Sequence, residues 1–184
     1  MAIPELRTER LLLRAFTDAD RPAWARLHSD PAVMATLGPL LDRAGADRLL
    51  NDVRARWEHD GFGWWCVDLD GACIGAVGLT SPRWTPPFSV AGDRVVEVGW
   101  RITSAQWGQG FAPEAARAAI AFGFSELGLP ELVAYTSVTN RSSRRVMEKL
   151  GMVHDPDGDF DHPAVPADSP LRRHVLYRLS RPAE

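Results

Sequence analysis

Apolar positions along this chain switch between two spacings, every second residue and every third or fourth, and the switches outline its elements. Residues 8–16 (TERLLLRAF) read as a first strand. Thr17 or Asp18 can cap a helix running to about His28, and Asp30-Pro31 restarts a short helical turn. Between Asp42 and Trp57, the residues Ala46, Leu49, Leu50, Val53 and Trp57 recur at helical spacing, and Gly61 is a stop soon after. Residues 64–69 and 72–79 are strand-like runs around Asp70-Gly71, a strong hairpin signal. Residues 81–92 hold three prolines, two aromatics and no period, so they read as a loop of a length that is often functional. Residues 95–102 alternate, with Val96, Val98, Trp100 and Ile102 on one face and Glu97, Gly99 and Arg101 on the other. Ala116, Ala119, Ile120, Gly123, Phe124 and Leu127 form one helical stripe of small residues suited to close approach to a sheet, ended by Gly128. Residues 132–139 are another strand; Asn140 then caps a helix whose Ser143, Val146, Met147 and Leu150 share a face, with Gly151 as its end. Residues 154–170 look irregular, and 173–180 resume strand alternation.

Strand, helices, three strands, helix, strand, helix, strand: hairpins are mixed with crossovers through helices. The expected fold is an α/β (α+β) three-layer domain around a mixed sheet. At 184 residues the chain, 1–184, is expected to be one domain, and no repeat or low-complexity linker divides it. A hydrophobic fraction of 45% and a charged fraction of 24% are ordinary for a soluble globular protein. The net charge of −3 gives no global basic field for nucleic acid or membrane. Arg141, Arg144, Arg145 and Lys149 nevertheless cluster within nine positions, a patch that suits one phosphorylated small molecule or is an ordinary solvated helix face. No charged leader precedes an apolar run and no segment approaches membrane-spanning length, so a cytoplasmic protein is expected. Cys66 and Cys73, both inside one hairpin, then read as reduced, buried small hydrophobes.

Candidate chemistry begins at the strand 95–102. It is followed by Trp107-Gly108-Gln109-Gly110-Phe111-Ala112 and by Pro113, a residue suited to the first helical position. Two glycines one residue apart at a helix start leave several backbone N–H groups free, an anion cradle whose natural guest is a phosphate or pyrophosphate. Glu97 on the adjacent strand would place a candidate base beside that guest. The same turn can equally be only a connection.

The segments VEVGWRI, WGQGFAPEA and TNRSSRRVMEKLGM, in this order and spacing, resemble the GNAT acyltransferase superfamily. The closer likeness is to its RimJ/RimL-like branch, which includes ribosomal-protein N-terminal acetyltransferases, and it runs from the TERLLLR strand to the HVLYRL strand. The resemblance implies a three-layer α/β/α fold with a centrally splayed mixed sheet. It also implies a coenzyme A thioester donor, usually acetyl-CoA, direct transfer to a primary amine in a ternary complex, and no metal. In the superfamily's phosphate-loop pattern a Gln or Arg is followed three residues on by Gly and two further on by Gly or Ala. Here Gly110 takes the middle place, Ala112 the last and Trp107 the first, a departure that suits this branch and removes one polar contact. Backbone amides of Gly108, Gln109, Gly110, Phe111 and Ala112 become the implied pyrophosphate ligands. The pantetheine arm is implied to lie in the wedge beside strand 95–102, pairing with the backbone near Trp100, Arg101 and Ile102. Gly99 is consistent with a local irregularity or a close ligand approach there.

An amine must lose its proton before attack; an α-amino group with a pKa of about 7.7–8.0 needs only a modest base. Glu97 sits at the position that serves as general base in several superfamily members; alternatively it pairs with Arg101 or Arg94. For the departing thiolate, the branch's Asn-x-x-Ser segment is matched by Asn140 and Ser143, although Asn140 as a plain cap and Ser143 as a first-turn hydroxyl is the simpler account. Ser142 falls off the inward stripe, and Tyr135 is a second hydroxyl candidate or a core aromatic. Asn140, Arg145 and Met147 complete the implied cofactor contacts, with one of Arg144, Arg145 and Lys149 meeting the adenosine phosphates. His154, His162 and His174 fit no usual metal-ligand spacing. Trp64, Trp65, Trp84 and Phe88 can line an acceptor pocket or be core, and the segments 81–92 and 154–170 are expected to shape its entrance. The acceptor, a small-molecule or peptide amine, stays open among a protein N-terminus, an amino acid derivative, a polyamine and an aminated antibiotic. A monomer or homodimer is expected. The rival is a domain that binds acyl-CoA without turnover, as a sensor or interaction module; the presence of both Glu97 and Ser143 favours the enzyme. A phosphate-loop nucleotide-binding protein would need a Gly-Lys-Ser/Thr ending that the turn lacks.

Overall fold

A computed structural model describes residues 3–89 and 94–183. The first strand breaks in two: β1 (Leu6–Arg7) and β2 (Leu12–Arg14) form an antiparallel pair rather than one run over 8–16. Thr8 N–H donates to Leu11 O at 3.0 Å and Leu11 N–H donates to Thr8 Oγ1 at 2.9 Å, closing a turn. The reason is tertiary, because Thr8 Oγ1 and the Arg10 backbone N–H both donate to the distant Glu114 carboxylate.

Local signals decide the helical layer that follows. α1 (Arg21–Ser29) follows a single 3₁₀ turn in which Thr17 and Asp20 form a capping box. α2 (Pro31–Met34) starts where the Asp30 side chain accepts the Ala32 N–H. α3 (Arg43–Asp60) is capped by Asp42, which accepts the Gly45 N–H at 2.7 Å, and ends at left-handed Gly61. The hairpin of β3 (Trp64–Leu69) and β4 (Ala72–Thr80) turns at Asp70 and Gly71, both with positive φ (52° and 84°), the geometry of a twist-matched two-residue turn.

β5 (Glu97–Ile102), α4 (Phe111–Ser125), β6 (Glu131–Ser137), α5 (Arg141–Lys149) and β9 (Arg173–Ser180) follow in chain order, with β7 (Val153–His154) and β8 (Phe160–Asp161) between α5 and β9. Residues 154–170 are therefore less irregular than their composition implies. Strands of two residues carry too little alternation to read, and their pairing to β9 is supplied by a neighbour far along the chain. β6 likewise stops at Ser137, because the Ser137 and Thr139 hydroxyls bond at 2.8 Å and turn the chain into α5.

Among the described residues nine strands make one mixed sheet in the order β1-β2-β3-β4-β5-β6-β9-β7, with β8 also on β9. α4 and α5 pack on one face against Leu13, Val77, Leu79, Val98 and Leu132. α1, α2 and α3 cover the other face over Cys66 and Ala76. The three layers are the expected ones. Both cysteines are unpaired, Cys66 buried and Cys73 half-buried. Asp20, Cys66 and Cys73 place their ligand atoms within 4.8 Å of one another. Both Asp20 oxygens are already bonded to Arg14, at 2.7 and 2.9 Å, and a metal ion there would face that guanidinium. Among the described residues no helix is long and apolar enough to cross a membrane.

Candidate active site

The sheet opens at its centre. β5 and β6 run parallel but share a single register pair, Glu97 with Val133, backed by Val133 N–H to Val96 O at 3.0 Å. At the far end Thr103 N–H donates to Ile74 O at 2.9 Å, so odd-numbered residues of β5 turn their backbone groups to β4 and even-numbered ones to the gap. Trp100 therefore offers its N–H and C=O to the opening. Arg101 does not: its carbonyl faces Gly75 so closely that a Cβ at that glycine would lie 2.2 Å away. The Ile102 carbonyl is also taken, by the Trp107 indole N–H at 2.8 Å. Of the three backbones expected to pair with a pantetheine arm, Trp100 alone presents both groups to the gap. Gly99 marks no bulge, since its register with Gly78 is regular and the Trp64 indole covers it, 2.8 Å from where a Cβ would stand.

The glycine turn closes one end of the gap. Gly108 and Gly110 both hold positive φ, 78° and 83°, and Gly110 is the N-cap of α4. Pro113 falls at the third helical position, not the first, where its missing N–H is still one of the donors that no helix carbonyl can reach. The N–H groups of Phe111 and Ala112 likewise have no partner within the helix. Glu114 would compete for this positive end, but its carboxylate is turned away onto Thr8 and Arg10 at 2.6 and 2.7 Å. Arg10 also binds Gln109 O at 3.0 Å and lies over the Phe111 ring. The cradle is thus braced from behind by the β1–β2 turn.

A cavity of about 510 Å³ joins these parts. Trp100, Arg101 and Ile102 line it from β5, and Trp107, Gly108, Gly110, Phe111 and Ala112 line it from the turn. Asn140, Ser143 and Arg145 line it from α5. Asn140 accepts the Ser143 N–H at 3.1 Å and donates to Thr136 Oγ1 at 2.9 Å, so it fixes the start of α5. Ser142 is on the wall as well as Ser143. Two expected cofactor contacts are not on it: Gln109 turns its side chain onto Gln106, and Met147 is buried in the core. Arg145 and Lys149 reach the cavity, whereas Arg144 hydrogen-bonds Tyr177 on the far side of the helix. A wall formed by Ala32, Val33, Thr36 and Leu37 was not foreseeable, because α2 has one turn and no period.

Glu97 is not part of the cavity wall; it sits one step deeper, half-buried at the point where β5 and β6 part. Burial pushes its carboxyl up to about 7, against the pull of a Tyr135 hydrogen bond and the charges of Arg56 and Arg101. Among the described residues it makes no direct ion pair. Arg94 bonds Asp60 O at 3.4 Å and covers the Phe62 ring, and Arg101 meets His28 Nε2. Tyr135 is more than a core ring: its hydroxyl serves Glu97, and burial together with that carboxylate pushes its own pKa up. Of the tryptophans and phenylalanines expected at an acceptor pocket, Trp65 is core and Trp64 covers Gly99. Trp84 and Phe88 pack on Tyr135 at ring distances of 6.5 and 6.1 Å, beside Phe160. They come from the 81–92 loop, of which 90–92 lie outside the described residues.

His28, which reads in the sequence only as a helix-end residue, meets Arg101 in the folded chain. It is 0% exposed, and burial, followed by the Arg101 charge, holds it down to about 4. An unfolded histidine binds a proton near 6.5, so the folded state binds fewer protons across this window and loses stability as pH falls. Urea unfolding is expected to show about 3 kcal/mol lost between pH 6.5 and pH 4 through this group, a slope absent from His28→Asn.

An open central parallel pair, a glycine cradle at a helix start and a cavity between them define an acyltransferase of the GNAT type. Residues 10–153 match the family model described as "Acetyltransferase (GNAT) domain", and the chain belongs to that family. An acetyltransferase structure from Agrobacterium tumefaciens strain C58 is 32% identical, superposes with a TM-score of 0.79, and the match covers 98% of this chain and 96% of that one. The FsC-acetyl coenzyme A-N(2)-transacetylase of Aspergillus fumigatus is 32% identical over 83% of this chain, a match that spans 66% of its own length. The fold is also that of Mycobacterium smegmatis RimJ in complex with CoA-disulfide, with a TM-score of 0.74 at 19% identity, covering 96% of this chain and 86% of that one.

Proposed function

We propose that this acetyltransferase moves an acetyl group from acetyl-CoA to a primary amine, on a small molecule or a peptide N-terminus, by direct attack in a ternary complex. The observation that carries this is one cavity running from the glycine cradle to the gap between β5 and β6, with a carboxyl poised near neutrality just beyond it. The cradle N–H groups of Gly108–Ala112 hold the pyrophosphate, and Arg145 and Lys149 meet the remaining phosphate charge. Trp100 pairs with the pantetheine arm as an added strand would. Glu97 accepts the ammonium proton, directly or through one water; its pKa matches the task, since a base near 7 is ionised at physiological pH and still basic enough for an amine. The free amine attacks the thioester carbon, and collapse of the tetrahedral intermediate breaks the C–S bond. Ser143 then hydrogen-bonds or protonates the departing sulfur.

The test is thiol release from acetyl-CoA across a broad panel of amines that includes N-terminal peptides; no release with any of them would refute the proposal. Ser143→Ala is expected to lower kcat by roughly tenfold with the KM for acetyl-CoA nearly unchanged, because the hydroxyl acts on a charge that develops only as sulfur leaves. An equal loss in KM would instead mark Ser143 as a ground-state contact.

A further inference from the structure

Tyr135 carries a hydroxyl that the proposed reaction leaves unused. Leu132 and Ala134 of β6, like Val96 and Val98 of β5, pack into the core beneath α4 and α5, so Tyr135 and Glu97 project from the opposite face. Glu97 pairs with Val133 where the strands part, and Tyr135 stands two positions further along β6, on the far lip of the gap. Its ring is clamped from three other segments. Trp84 and Phe88 of the 81–92 loop lie at 6.5 and 6.1 Å between ring centres, Phe160 of β8 at 5.4 Å and His174 of β9 at 6.2 Å. A phenylalanine would make the same ring contacts. What the tyrosine adds is one hydroxyl, and it bonds the Glu97 carboxyl.

A phenol oxygen has one proton to give and two lone pairs, whereas an indole N–H only donates. The Trp84 N–H also bonds the Tyr135 hydroxyl, so it occupies a lone pair and leaves the phenol proton for Glu97. Burial and the neighbouring carboxylate push the phenol up, and the hydroxyl keeps that proton at neutral pH. Burial also holds His162 and His174 below the ordinary histidine value, so neither ring brings a charge to the hydroxyl there. Arg56 from α3 and Arg101 from β5 act on Glu97 through space, and Thr80, opposite it on β4, accepts from Arg56. Among the described residues Tyr135 alone gives that carboxyl a hydrogen bond.

We propose that Tyr135 is the positioning residue of the base: anchored by the Trp84 indole N–H, its hydroxyl reaches across the gap and fixes the Glu97 carboxyl where β5 and β6 part. This rests on the role proposed above for Glu97. A donor aimed at a carboxylate favours the ionised form, so the contact opposes the burial that would otherwise keep Glu97 protonated at neutral pH. The hydroxyl occupies one carboxylate oxygen and leaves the other for the ammonium proton.

Thiol release followed across pH tests this in the wild type, Tyr135→Phe, Trp84→Phe and the double variant. Losing one donor to a charged group is worth about one pH unit, so the acid limb of Tyr135→Phe should rise from about pH 7 to about pH 8. Its kcat/KM then falls about fivefold at pH 7 and recovers above about pH 9, with the KM for acetyl-CoA unchanged. Trp84→Phe keeps a ring and loses the N–H, so its limb should rise by less. The double variant should match Tyr135→Phe, because Trp84 acts through the hydroxyl. Carbon-13 NMR of the Glu97 carboxyl, assigned by its absence in Glu97→Gln, should show the same upward move with no acceptor present. A limb and a carboxyl titration left at the wild-type pH in Tyr135→Phe, or a loss equal at every pH, would make Tyr135 a packing residue and leave the acetyltransferase reading intact. A double variant shifted by the sum of the two singles would separate Trp84 from the hydroxyl and overturn the anchored pair. No thiol release from the wild type with any amine would sink the proposed function and the positioning role with it.

Discussion

Replacing Glu97 with glutamine is expected to lower kcat/KM by about 10²- to 10⁴-fold at pH 7, the usual contribution of a positioned base. The acid limb of the wild-type profile should fall at about pH 7, where burial places the Glu97 carboxyl, and should vanish in the variant. For α-amino acceptors the deficit should shrink above about pH 8, as the amine loses its own proton to water. The same substitution is expected to stabilise the fold. A carboxyl raised from 4.5 to about 7 keeps its proton in the folded state where the unfolded chain has released it, so folding loses stability as pH rises through that window. Above pH 7 the full penalty is present, and Glu97→Gln should gain about 1–3 kcal/mol, with no gain near pH 4.5. Chemical denaturation across pH checks this. A variant both inactive and less stable at pH 8 would mark Glu97 as a structural partner of its neighbours, not a base.

Gly110→Val is the substitution expected to strike the cofactor hardest. At φ 83° a β-branched residue is strained by about 1–2 kcal/mol, and the chain escapes by rotating the peptide planes at the start of α4, where Phe111 and Ala112 line the cavity. Loss of even one N–H donor to a phosphate is worth about tenfold or more in affinity. Calorimetric titration should show acetyl-CoA binding weakened at least tenfold. Gly61→Val, strained alike at φ 76° but placed at the end of α3, should cost stability and leave that affinity unchanged. A normal affinity in Gly110→Val would remove the turn from the cofactor site.

The sequence by itself determined whatever depends on a few neighbouring residues. Asp42 and Gly61 bound α3, Asp30 starts α2, Asn140 starts α5, and Asp70-Gly71 turns the central hairpin, because caps and turns are backbone preferences satisfied within four or five positions. The alternation of β5 likewise gave the faces on which Val98 and Glu97 lie, and two glycines one residue apart marked the turn before α4, where both hold positive φ. The tertiary structure decided everything that depends on what stands opposite. It broke the first strand at Thr8 to reach Glu114, 106 positions away, and built β7 and β8 on β9. It parted β5 from β6 just past Glu97 and brought Tyr135 and Arg56 to that carboxyl. It set His28 against Arg101 across 73 positions. Proton affinity and unpaired charge follow from desolvation and from partners distant in the chain, and neither leaves a mark in the spacing of neighbouring residues.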